Sequence, residues 1–180
     1  MKHLIALALA ALLALSCAGF ALAEAQTYDL FSVGGKATLT LTIDREPLYI
    51  TLDETFTELG ASHATVETEG LAPCVISVAK SDIAEDQSLT DMGEEGLETL
   101  KARISDQFEN PEILTGKVGD ITYIAIKTCN ETSDVHSVFT IEKGYFVQLD
   151  QYRADFSELS EEDETFAREV FAGLNVRTAE

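Results

Sequence analysis

The feature that constrains this chain most is a change of hydrophobic period. From Ala37 to Ile43 the order Ala-Thr-Leu-Thr-Leu-Thr-Ile alternates apolar with polar residues, the pattern of a strand with one buried face. Asp44-Arg45-Glu46-Pro47 breaks it. Extended runs return at Leu48–Leu52, continuing through Phe56 and Leu59 to Gly60, then at Ser62–Thr68 and Val75–Ala79, with a turn at Glu69-Gly70. The period then lengthens. Leu89, Met92, Gly96, Leu97, Leu100, Ile104 and Phe108 fall on one side of a helix that leaves Glu94, Glu95, Glu98 and Arg103 outside. Asn110-Pro111 ends it, because proline keeps the preceding residue out of helical angles. Period two resumes in Ile113–Val118, Ile121–Thr128, Val135–Glu142 and Tyr145–Tyr152, joined by turns at Gly119-Asp120 and Lys143-Gly144. A second helix opens at Ser160, which caps it while Glu161, Glu162 and Asp163 sit at its positive end. Its buried stripe is Phe166, Ala167, Val170 and Phe171, Gly173 stops it, and Leu174-Asn175-Val176 adds a short extended piece.

Strands in runs with two helices inserted specify an α+β domain: a mainly antiparallel sheet covered by two helices. The domain is expected over residues 48–180, preceded by an N-terminal strand segment, 24–47. Ser81–Gln87 and Thr128–Asp134 read as loops. With 46% hydrophobic residues in 180, the chain has enough apolar surface for a real core.

Residues 1–23 read as an export signal. Lys2 supplies the positive start, Leu4–Leu15 is an apolar stretch too short for a bilayer, which takes about 20 residues, and small residues follow. Cleavage fits after Ala23 or after Ala25. A competing reading is a lipoprotein signal, with Ala14-Leu15-Ser16 ahead of a lipidated Cys17 and cleavage just before it. The expected location is therefore periplasmic or extracellular, or the membrane surface through Cys17, without a transmembrane anchor. Export permits a disulfide between Cys74 and Cys129. The pleat argues against one, since Cys74 lies in phase with Ile76 and Val78 and Cys129 with Lys127 and Tyr123. Two separate buried thiols are the other outcome.

The net charge is −20, from 12 Lys plus Arg against 32 Asp plus Glu, and loss of residues 1–23 removes Lys2 and no acid, giving −21. Nucleic acid is excluded as a partner, since its phosphates are bound by clustered Lys and Arg. No signature of catalysis or metal binding stands out. His63 and His136 have no HExxH or paired CxxC around them, no serine sits in a GxSxG elbow, and Cys74 and Cys129 have no histidine nearby. Acids cluster in Asp82-Glu85-Asp86, Asp91-Glu94-Glu95 and Glu158–Glu164 without the alternation of an EF-hand, so they read as a solvated face. Val33-Gly34-Gly35-Lys36 has no helix behind it to hold phosphate and reads as a turn. Tyr145, Phe146 and Tyr152 form either an aromatic platform or ordinary cross-strand packing.

From Leu48 to Val176 the order resembles the PsbP-like family: the extrinsic protein of photosystem II, exported DcrB-type bacterial lipoproteins, and a eukaryotic Ran-binding protein. The resemblance is carried by Ile50-Thr51-Leu52-Asp53, Val75-Ile76-Ser77-Val78, the helix opening at Leu89, Gly116-Lys117-Val118-Gly119 with Tyr123-Ile124-Ala125, the Lys143-Gly144-Tyr145 hairpin and the helix from Phe166 to Leu174. It implies an αβα sandwich and a non-enzymatic binding or assembly role. It transfers no site residue, cofactor or metal. The expected function is an exported, non-catalytic binding or accessory protein for an unknown protein or envelope component. The alternatives are a secreted hydrolase with a spatially assembled site and an acidic, cation-binding envelope lipoprotein.

Overall fold

The computed structural model describes residues 25–33, 37–53, 62–81, 88–130, 133–155 and 157–178, and across these the alternating runs become strands of two sheets. β1 (Gln26–Val33), β2 (Ala37–Ile43) and β10 (Leu174–Thr178) form a small sheet in the order β1-β2-β10. The large sheet contains β3 (Tyr49–Asp53), β4 (Ser62–Glu67), β5 (Cys74–Lys80), β6 (Glu112–Val118), β7 (Ile121–Asn130), β8 (Ser133–Glu142) and β9 (Tyr145–Gln151). Its order is β3-β4-β5-β9-β8-β7-β6, and its neighbouring strands run antiparallel. The turn between β8 and β9 takes positive φ at Lys143 (51°) and Gly144 (77°), the backbone of a tight primed hairpin.

Alternation decides the layers. One face of the large sheet presents Val66, Cys74, Ile76, Val78, Val147 and Leu149, which share a core with the small sheet and with α2 (Glu161–Gly173). The other face presents Ile124, Ile126, Phe139 and Ile141 to Leu89 and Ile104, carried by a 3₁₀ turn (Leu89–Met92) and by α1 (Gly93–Ser105). The α+β arrangement with a helix on each face is thus present, with one addition. β1, β2 and β10 lie in the layer of α2, and Leu39 and Leu41, both 0% exposed, belong to the same core as Ile76. β1 and β2 therefore share one core with the large sheet and α2. Close approach also explains Gly173: a Cβ there would collide with the backbone carbonyl of Thr42. Among the described residues no helix is long and apolar enough to cross a membrane.

The first helix departs from expectation. Gly93 takes φ 67° and separates the 3₁₀ turn from α1, which ends at Ser105, well before Asn110-Pro111. The buried stripe consequently stops at Ile104, and Met92 and Phe108 are exposed. The loop expected at Thr128–Asp134 is shorter than that, because β7 runs on to Asn130 and β8 starts at Ser133, and residues 131–132 lie outside the described residues. β1 has no clean alternation because its register against β2 shifts between Asp29 and Phe31, which a bulge produces. The continuation through Phe56 and Leu59, the cluster Asp82-Glu85-Asp86 and the turn residues 34–36 lie outside the described residues, although Val33 pairs with Ala37 on either side of that turn.

Candidate functional site

Small-sheet strands and α2 cover β4, β5 and β9 but leave the outer part of the same face open, and a groove forms there. On its floor the register aligns Ala125 with Val138 and Lys127 with His136 between β7 and β8. Between β6 and β7 it aligns Glu112 with Lys127, Leu114 with Ala125 and Gly116 with Tyr123. α2 supplies the wall through Glu164, Ala167, Arg168, Phe171 and Ala172, the three-and-four spacing of a single helix face. The enclosed volume is about 560 Å³, inside the usual range for small-ligand sites. Tyr123 meets Phe171 edge-on at 5.7 Å with the rings 72° apart. A Cβ at Gly116 would overlap the Tyr123 phenol, so the ring lies across β6 where glycine alone leaves room. A smaller cavity of about 230 Å³ shares Val118, Phe171 and Ala172 and extends toward β10.

One end of the groove is a loose chain of charge. Lys127 Nζ is 3.6 Å from Glu164 Oε1, which is 3.8 Å from His136 Nδ1, and His136 Nε2 is 3.6 Å from Asp134 Oδ1. These spacings are longer than hydrogen bonds. Asp134 is buried, and its Oδ2 accepts from the Leu159 amide at 2.9 Å, whereas its Oδ1 and His136 Nε2 make no hydrogen bond to a described residue. Burial pushes the His136 pKa down, assisted by Lys127 and opposed by the carboxylates of Asp134, Glu164 and Glu112. The imidazole is thus neutral at pH 7. Among the described residues no group of three or more His, Cys, Asp or Glu side chains is placed to hold a metal ion.

No protein-family model and no curated protein matches this chain.

Cys74 and Ser77 lie away from the groove, on β5. Cys74 is a free thiol, 0% exposed. Burial, then the nearby charge of Asp163, raises its pKa to about 12, so almost no thiolate forms at neutral pH. The Cys74–Cys129 disulfide is not formed, and the pleat is not the reason. Cys74, Gln151, His136 and Lys127 make one cross-strand row, so the Cys74 and Lys127 phases face the same way. Three strand spacings, about 14 Å, separate β5 from β7, and a disulfide tolerates no more than about 7 Å between Cα atoms. Alkylation in denaturant without reductant is expected to label the Cys74 peptide fully, and alkylation of the folded protein is expected to leave it unlabelled. A Cys74 peptide that appears only after reduction would overturn this. Cys17 lies outside the described residues.

Ser77 Oγ and His63 Nδ1 are 3.0 Å apart, a hydroxyl–imidazole contact across β4 and β5. Both residues stand on the opposite face of the sheet from the groove, at a cross-strand position whose own backbone amides serve the ladder and do not point at the hydroxyl. The aromatic platform also dissolves. Tyr145 is buried in the main core, and Phe146 stacks on Phe139 at 5.1 Å. The acids after Ser160 divide: Glu161 and Glu162 face solvent, but Asp163 is buried. Tyr123, Lys127 and Arg168 carry no motif, and the strand register and the turn of α2 bring them together.

Proposed function

We propose that this is an exported, non-catalytic binding protein whose recognition site is the groove between α2 and β6–β8. One observation carries the reading: a preformed concavity with an apolar stretch of floor at Leu114, Ala125 and Val138 and charged groups at its end, in which no described side chains form a hydroxyl–imidazole or thiol–imidazole pair. The 1–23 pattern supports export, and helices on both faces of an antiparallel sheet support a PsbP-like architecture. Fold alone leaves function open, so the site has to decide.

A neutral environment-sensitive dye, N-phenyl-1-naphthylamine, tests this directly. Saturable one-to-one binding to the folded protein is expected, weakened about tenfold or more by Ala125→Trp, which fills the floor, and by Leu114→Glu, which charges it at an exposed position. Hydrolysis of p-nitrophenyl butyrate is expected to stay at the uncatalysed rate. Dye binding that survives both substitutions, or ester turnover abolished by Ser77→Ala, would overturn the reading.

A further inference from the structure

The cavity of about 230 Å³ beside the groove is a site of a different kind. α2 ends at Gly173 and β10 starts at Leu174, so helix and strand meet in a corner with no linker between them. That corner arches over one end of the large sheet, where the register puts Val118, Ile121, Thr140, Glu142 and Val147 on a single face. Leu39, Leu174 and Val176 close the space from the small sheet, and all three are buried. Lys143 and Asn175 are exposed and mark its mouth. The polar lining is balanced and partly committed. The Thr140 hydroxyl donates to the Thr122 carbonyl at 2.8 Å, and Lys143 Nζ donates to the Val176 carbonyl at 2.7 Å. Glu142 is the one acid of the lining and Lys143 the one base, adjacent in the chain. Burial, then the charge of Asp91, raises the Glu142 pKa against the pull of Lys143, as a poorly hydrated wall does.

From this lining we infer that the cavity binds a small uncharged apolar molecule, which enters past Lys143 and Asn175. Its body lies against Leu39, Ile121, Val147 and Val176. The size fits the class: an apolar cavity of roughly 150 Å³ stays dry and admits benzene, whereas drug-sized ligands take about 300 Å³ or more. An ionic ligand is disfavoured, because either sign of charge meets one like and one unlike group and gives up its hydration to an apolar floor. The inference goes beyond the groove and does not rest on it, since of the residues lining the cavity the groove shares Val118, Phe171 and Ala172.

The methyl resonances of Leu39 and Val147, two buried lining residues, read occupancy by NMR. 1-Hexanol is expected to shift them saturably, and hexanoate and hexylammonium to bind at least about tenfold more weakly, as the cost of carrying a charge into the cavity implies. Ile121→Trp, at a half-buried lining position, and Asn175→Phe, at an exposed one, are each expected to weaken hexanol about tenfold or more by occupying the space. Leu114→Glu, which alters the groove alone, is expected to leave hexanol unchanged. Dispersed methyl spectra of the ligand-free variants establish that they fold. The absence of a saturable shift, equal binding of all three ligands, or hexanol binding that survives both space-filling substitutions would overturn the inference. Loss of the hexanol shifts in Leu114→Glu would also overturn it, by moving the ligand into the groove. Failure of the dye to bind while hexanol still does would sink the groove reading alone.

Discussion

Asp163→Ala is expected to destabilise the protein by about 3–5 kcal/mol, the cost of leaving buried partners of a charge unpaired. Asp163 is 0% exposed. Its Oδ1 accepts from the Ala72 amide at 2.7 Å, and its Oδ2 accepts from the Ser160 amide at 2.7 Å, the Ser160 hydroxyl at 2.8 Å and Arg153 Nη2 at 2.6 Å. The carboxylate therefore closes the capping box of α2 and ties the helix both to the segment ahead of β5 and to the chain leaving β9. Burial alone would push its pKa up, but these donors outweigh burial and hold it at about 2. The sign follows. A depressed folded-state pKa contributes stability that is fully present above the unfolded value near 4 and is lost as the pH falls from there through about 2. That contribution is about 2–3 kcal/mol. Urea unfolding at pH 7 and at pH 2 reads both effects: the substitution should cost most at pH 7 and about 2 kcal/mol less at pH 2. A loss below about 1 kcal/mol at pH 7 would show the hub to be inessential.

Phe166→Ala is expected to cost about 3–5 kcal/mol, the range for truncating a buried aromatic side chain. The ring is 0% exposed and lies in the core that α2 shares with the two sheets. The Arg45 guanidinium stands 5.2 Å from its centroid and is itself held by Glu169 at 2.7 Å. Arg45→Ala should therefore cost much less, about 0.5–1 kcal/mol, because Arg45 and Glu169 are both partly exposed. Guanidinium denaturation with an unchanged slope measures the difference, and a Phe166→Ala loss no larger than that of Arg45→Ala would refute this placement.

What was legible depended on whether the cause was local. Ala37–Ile43 and the Lys143-Gly144 hairpin carry strand phase and turn chemistry within a few residues, and both appear as read. Ser160 likewise caps α2, and the Asp163 carboxylate at the third helical position accepts from the Ser160 amide to complete the box. Asp163 itself reads in sequence as a solvated acid at a helix start, whereas the structure buries it. Its decisive partner, the Ala72 amide, is 91 residues away, and no window around Glu161–Glu164 contains that donor. Met92 and Phe108 obeyed the helical period yet are exposed, because a single positive φ at Gly93 and an early end at Ser105 shorten the face the period describes. The groove was illegible for the same reason as Asp163. Phe171 meets Tyr123 only once α2 is seated beside β7, and Gly116 earns its meaning only once β6 is in register with Tyr123.

β10 pairs with β2 along its full length, from Leu174 with Leu41 to Thr178 with Ala37. A chain emerging from the ribosome consequently leaves that edge of β2 without its ladder partner until residues 174–178 are made, with 135 residues between Thr40 and Asn175. Such late closure of sequence-distant partners slows folding and lengthens the time during which a nascent molecule stays threadable or chaperone-bound.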